Sequence, residues 1–316
     1  MKELRRDRIN GDLVVFAKDR NKRPHDKTNQ ELDERESMSE YEADCPFCRG
    51  NEKCCDKSLF EIGKEGYWLS RAVPNLFPII DEESTEIFGR HEVIIDTYRH
   101  NGSFYDMSKE EFKNLFDMYV NRYTALLSRV GTEYVSLFKN FLRKAGASLL
   151  HPHSQMISMS IIPPEVENEL EIGRKYFEEN GRSLYNDIIK EELEYGDRIV
   201  YEGQNFIMGV PRATKFSGEI RIMFKEKVKF QNLSDTDIEE LAESFKCLFE
   251  KIYEVNGYMP FNVCVHTHPK CIDATEYFNA HIHILPRKFN FGGFELGGDI
   301  HVCTLEAEAY TKLMRW

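Results

Sequence analysis

Twice within its 316 residues the chain runs through the same order of patterns. The first copy opens with the β-branched run "HEVIID" (91–96), followed by "MSKEEFKNLFDMYVNRYTALLSR", where Ser108 and Glu111 are spaced as a capping box ahead of apolar residues at helical intervals. "YVSLFKNF" and "HSQMISMSII" then read as strands on either side of the small-residue turn "KAGAS". The second copy has "EIRIMFK" (219–225), a helix from Ser234 and Asp237 to Gly257, and the strands "FNVCVH" and "AHIHILP". Ser108 lies 43 residues before His151 and Ser234 lies 47 before His281, so each copy ends in a His-x-His strand. A helix laid on an antiparallel sheet is a unit that two copies can enlarge into one sheet or one dimer-like core. The expected class is α+β, an antiparallel sheet carrying helices, with halves at 1–165 and 166–316.

Composition narrows the function. A chain that is 41% hydrophobic and 30% charged is globular, and a net charge of −12 argues against coating nucleic acid, which needs a basic surface. Any bound phosphate must therefore be met by local groups. The first nine residues carry charges throughout, and no window approaches the roughly 18 apolar residues of a membrane span. A cytoplasmic protein without a membrane partner is expected. In a reducing compartment the eight cysteines point to metal binding or burial and not to disulfides.

Cys45 and Cys48 in "CPFC" have the spacing of a metal knuckle, and no helix pattern follows them to support a redox motif. His100 and His151 are candidates for the two further ligands; two buried cysteines without metal is the other reading. In "HPHSQ", strand alternation would place His151 and His153 on one face, with Pro152 restricting the backbone between them. One can then serve as ligand or anchor while the other stays free. A free imidazole attacks phosphorus when its second nitrogen donates to a fixed acceptor. Gln155 adds a donor, and "AGAS" lets phosphate oxygens approach the backbone beside Ser148. The alternative for His153 is a hydrogen-bonded structural histidine.

His266, His268, His281 and His283 fall within 18 residues, and His281 and His283 share a strand face. A third histidine and a carboxylate, for which Glu169 is a candidate, complete a closed structural site; a second catalytic centre is the competing reading. Arg20 and Arg23 in "RNKRP" suit phosphate oxygens, or form a basic surface turn.

Taken together, "RNKRP", "CPFCRGNE", "VPNLFP", "HEVII", "GAS" leading into "HPHSQ", "HIHILPRKF" and "GGFELG" resemble the galactose-1-phosphate uridylyltransferase branch of the histidine-triad superfamily. The resemblance spans nearly the whole chain and implies a tandem pair of histidine-triad-like halves. It implies that His153 takes a nucleoside monophosphate, uridylate first, from a nucleotide sugar and passes it to a sugar 1-phosphate. Gln155 and Ser148 would hold the transferred phosphate, and Asn140, which matches an asparagine of the segment leading into that motif, would bind substrate. Cys45, Cys48, His100 and His151 would bind zinc, and Glu169, His266, His281 and His283 a second metal, zinc or iron. Arg20 and Arg23 would contact phosphate, and Asn75, Leu76 and Phe77 would line the nucleoside pocket. Lys288, Phe289, Phe294 and Glu295 would select the sugar, reaching across a homodimer. "HPHSQM" is also close to branches that use inorganic phosphate on adenine dinucleotides or nucleotide sugars, and His301 stands where a hexose-contacting glutamine is expected. A phosphorylase using the same histidine is thus the second reading, and a non-catalytic nucleotide-binding protein the third.

Overall fold

The computed structural model describes residues 2–22, 38–55, 57–64, 66–225 and 228–316. Its strands are β1 (Glu3–Arg6), β2 (Leu13–Phe16), β3 (Phe60–Lys64), β4 (Tyr67–Pro74), β5 (Gly89–Ile95), β6 (Tyr134–Phe141), β7 (His153–Met159), β8 (Ile199–Glu202), β9 (Phe206–Gly209), β10 (Ile220–Phe224), β11 (Phe261–His266), β12 (His281–Pro286) and β13 (Ile300–Cys303). The helices are α1 (Lys109–Leu127), α2 (Pro164–Asn180), α3 (Leu184–Tyr195), α4 (Asp235–Asn256), α5 (Gly293–Gly298) and α6 (Ala307–Met314).

Strands β3 to β12 form one ten-stranded sheet in the order β3-β4-β5-β7-β6-β11-β12-β10-β9-β8, with every pairing antiparallel. The order is palindromic: β5-β7-β6 on one side of the centre is matched by β10-β12-β11 on the other. The halves join where β6 pairs with β11, Asn140 opposite Asn262 and Phe141 opposite Phe261. The repeat seen in the sequence is thus built as one continuous sheet.

Both repeated helices form for the reason the sequence indicates. Ser108 and Glu111 exchange side-chain and backbone hydrogen bonds at the start of α1, and Ser234 and Asp237 do so for α4. Apolar positions three and four apart then give each helix a buried stripe, Phe112, Leu115, Phe116, Tyr119 and Tyr123 on α1 and Ile238, Leu241, Phe245, Leu248, Phe249 and Ile252 on α4. The stripes meet, with the rings of Phe116 and Phe245 4.9 Å apart, and cover one face of the sheet through Ile94, Leu137, Met156, Val263, Ile282 and Ile284. Each such side chain contributes about 1.5–3 kcal/mol on burial. The opposite face carries the histidines, and beside them α2 and α3 pack Val166, Leu170, Tyr185 and Ile188 with Ile157, Met223 and Phe278.

The structure corrects the internal alignment of the repeat. β7 begins at His153 and β12 at His281, so His153 matches His281, and His151 lies before its strand. Strand β7 stops short of His151, because Pro152 has no N–H to extend the ladder. Its carbonyl instead accepts from Asp96 N at 3.1 Å. Away from the large sheet, β2 pairs antiparallel with β1 and in parallel with β13, bringing the two ends of the chain together.

Candidate active site and metal centres

Cys45 and Cys48 follow each other through a tight turn in which Cys48 N donates to Cys45 O at 3.2 Å. The turn lays both sulfurs against His100 and His151. Cys48 Sγ is 3.5 Å from His100 Nδ1 and 3.7 Å from His151 Nδ1, and Cys45 Sγ is 3.8 Å from His151 Nδ1. The sulfur-to-nitrogen edge of a tetrahedron with zinc at its centre is about 3.5 Å, so the four residues already stand at ligand separations. All four are buried, and their ligand atoms lie within 4.8 Å of one another. Burial pushes the Cys45 thiol up to about 12, so its thiolate here calls for a neighbouring cation. His151 Nε2 donates to Thr97 O at 2.9 Å, which fixes the tautomer that leaves Nδ1 facing the sulfurs. The residues fit a closed metal site.

The second cluster is built on the seam side of the other half. His266 and His281 are directly opposite across β11 and β12, His283 follows on the same face, and Glu169 descends from α2. The three imidazole centroids are 4.8, 4.9 and 4.9 Å apart. Glu169 lies 3.0 Å from His266 Nδ1 and 3.4 Å from His281 Nε2. The outer nitrogens are held, His281 Nδ1 donating to Asn279 O and His283 Nδ1 to Glu219 Oε1, each at 2.9 Å. The inward Nε2 atoms of His281 and His283 are buried without a hydrogen-bond partner. Orphaned lone pairs converging beside a buried carboxylate fit a second metal.

Beside the first cluster, His153 Nδ1 donates to His151 O at 2.8 Å, which leaves the Nε2 lone pair available. Burial lowers its pKa and keeps the ring neutral. Phe47, the third residue of "CPFC", sets its ring 5.5 Å from that of His153 and 6.1 Å from that of His151. The knuckle therefore packs directly on the histidine pair. Gln155, two residues along the same strand face, accepts from His91 Nε2 at 2.9 Å.

The remaining expected residues are distributed as follows. Asn140 sits on β6 beneath the turn to β7, its Oδ1 accepting from Asn262 Nδ2 at 2.8 Å. That turn needs Gly146 at φ +96°, where an added Cβ would lie 3.5 Å from Asn140 Nδ2. It also holds Leu142 at φ 69°, ψ 160°, a conformation that costs a non-glycine residue roughly 1–3 kcal/mol. Ser148 is exposed on the same turn, and Asn75, Leu76 and Phe77 lie beyond β4, with Phe77 87% exposed. Lys288 and Phe289 are exposed, and Lys288 O accepts from Lys144 Nζ at 2.6 Å, near that turn. Phe294 and Glu295 are on α5, and Glu295 lines a cleft with His266, His283 and His301, on the face of the second cluster. Arg20 is exposed after β2, and Arg23 lies outside the described residues. Two residues of the site were not singled out from the sequence, His91 and Glu219. Each stands two residues out along the strand beside β7 or β12, a relation visible only once the strands are paired.

No helix among the described residues is long and apolar enough to cross a membrane. Residues 27–162 match the family model described as Domain of unknown function (DUF4931) N-terminal domain. ADP-glucose phosphorylase of Arabidopsis thaliana is 27% identical over 99% of this chain and 92% of its own length. Galactose-1-phosphate uridylyltransferase of Thermotoga maritima is 25% identical over 91% of this chain and 88% of its own. A crystal structure of an ADP-glucose phosphorylase from Arabidopsis thaliana with bound ADP-glucose superposes with a TM-score of 0.87 at 27% identity, covering 100% of this chain and 99% of that one. The duplicated α+β sheet, the two ligand clusters and these full-length similarities agree, and the chain is similar over nearly its whole length to nucleotidyltransferases named galactose-1-phosphate uridylyltransferase and ADP-glucose phosphorylase.

Proposed function

We propose that this enzyme moves a nucleoside monophosphate from a nucleotide sugar to a second phosphate-bearing substrate by way of a covalent intermediate on His153. The observation that carries the reading is the hydrogen bond from His153 Nδ1 to His151 O, because it fixes the tautomer a nucleophilic imidazole needs. In the first step Nε2 of His153 bonds to the α-phosphorus, the bond from that phosphorus to the bridging oxygen breaks, and sugar 1-phosphate leaves with the electron pair. In the second, an acceptor phosphate oxygen attacks the same phosphorus and the N–P bond returns its electrons to His153. Gln155 and Ser148 are assigned to the oxygens of the transferred phosphate, Asn140 to the bound substrate, Asn75, Leu76 and Phe77 to the nucleoside, and Arg20 and Arg23 to the outer phosphate.

Cys45, Cys48, His100 and His151 would hold zinc, and Glu169, His266, His281 and His283 zinc or iron. When bound, each metal supplies rigidity, tying the "CPFC" loop and α2 to the sheet. Residues 1–165 are assigned as the catalytic half and 166–316 as the half with the second metal. Lys288, Phe289, Phe294 and Glu295 are assigned to the sugar, in a homodimer in which they serve the partner's site. The eight unbridged cysteines suit the cytoplasm.

Uridylate with a sugar 1-phosphate acceptor is one version of this chemistry. Adenylate with inorganic phosphate is the other, favoured by the TM-score of 0.87 to the ADP-glucose phosphorylase. Product analysis separates them: phosphate as acceptor yields a nucleoside diphosphate, and a sugar 1-phosphate yields a new nucleotide sugar.

A further inference from the structure

His91 begins the apolar run of β5, and its ring is tied on both edges. Ile79 N donates to His91 Nδ1 at 3.1 Å, while Asn75 Nδ2 stands between the two ring nitrogens, 3.3 Å from Nδ1 and 3.2 Å from Nε2. A backbone N–H can only donate, so Nδ1 is the acceptor and the ring proton sits on Nε2. Nε2 faces Gln155 at 2.9 Å, which requires Gln155 to present its oxygen to His91 and turn its two N–H donors the other way. The backbone of the 75–79 loop thereby dictates, through one imidazole, which end of the Gln155 amide is available to a ligand.

The other half of the molecule repeats the device. By sheet pairing, Ile95 stands opposite His153 and Met223 opposite His281, so β5 and β10 are counterparts; four residues earlier in the chain are His91, within β5, and Glu219, immediately before β10. Gln155 and His283 are likewise counterparts, each two residues beyond the matched histidine. Glu219 Oε1 accepts from His283 Nδ1 at 2.9 Å and so aims the other ring nitrogen inward. One position of the duplicated fold therefore orients the third residue of the central strand in both halves.

We propose that His91 is a positioning residue for transfer, holding Gln155 with its amide N–H groups toward the transferred phosphate and coupling it to the 75–79 loop. The inference rests on the covalent reading and names a residue that acts through Gln155 without touching substrate.

The test is the rate of nucleotidyl-enzyme formation from UDP-glucose or ADP-glucose in wild type, His91→Ala, His91→Gln, Gln155→Ala and the His91→Ala/Gln155→Ala double variant. Loss of an orienting partner is expected to lower the rate at saturating donor about 10- to 100-fold in His91→Ala. His91→Gln keeps an acceptor for Ile79 N and a donor for Gln155, and restores the rate to within about threefold of wild type. In the Gln155→Ala background, adding His91→Ala changes the rate by less than about threefold. A His91→Ala enzyme as fast as wild type, or an equal loss in both backgrounds, overturns the positioning role while leaving the covalent reading intact. A wild-type enzyme that forms no adduct overturns the covalent reading and this inference with it.

Discussion

His151 and His153 share one structural decision: the carbonyl of His151 takes the Nδ1 proton of His153 at 2.8 Å, while the ring of His151 faces Cys45 and Cys48 at 3.8 and 3.7 Å. Anchoring the first histidine therefore fixes the backbone oxygen that sets the tautomer of the second. Pro152 between them removes the freedom to do otherwise.

The first prediction concerns that anchor. The purified enzyme is expected to carry two metal equivalents per chain by elemental analysis. Cys48→Ser should remove one equivalent and lower the unfolding midpoint by roughly 5–10 °C, since a closed site contributes folding energy directly. Full metal content in Cys48→Ser would contradict the ligand assignment.

Glu219 gives a prediction confined to the other cluster. It accepts from His283 Nδ1 and Arg221 Nε, at 2.9 and 3.1 Å. Glu219→Gln should weaken metal binding at Glu169, His266, His281 and His283 by about 10- to 100-fold, the usual effect of losing an orienting carboxylate. Titration with a chelator should then release one metal early while the metal at Cys45, Cys48, His100 and His151 stays bound.

Beneath β7, on the helix-covered face, Lys139 pairs with Asp96 in a setting where both side chains are at most 1% exposed. Lys139 Nζ also donates to His153 O at 3.2 Å, and Ser154 Oγ donates to Asp96 at 2.8 Å. Asp96→Ala leaves the Lys139 charge buried without its carboxylate and should cost about 3–5 kcal/mol in denaturant unfolding. Adding Lys139→Met should recover part of that loss.

The capping boxes give a smaller and independent effect. Ser234→Ala removes the hydroxyl that accepts from Asp237 N at 3.2 Å, and should cost about 1 kcal/mol without changing metal content.

How much of this was legible beforehand follows from range. Ser108, Glu111, Ser234 and Asp237 are local signals, and both helices begin where those residues place them. Cys45, Cys48, His100 and His151 were found because thiol and imidazole residues are scarce and few ligand sets suit them. His91 carries no local mark, being one histidine at the head of an apolar strand; its meaning depends on β5 lying beside β7. The parallel contact of β2 with β13 joins four-residue strands nearly a chain length apart, and nothing near Leu13 or Ile300 announces it. Pro152 hides the alignment of the repeat, because two histidines that look alike in sequence sit on either side of a strand boundary there.

The most direct test of the account is intact-protein mass spectrometry after mixing the purified enzyme with UDP-glucose, and separately with ADP-glucose, without an acceptor. The account predicts a mass gain of one nucleoside monophosphate with one of these donors, absent in His153→Ala, whose turnover should fall by roughly 10⁴-fold or more. A His153→Ala enzyme that still gains the adduct, or still turns over at the wild-type rate, would contradict it.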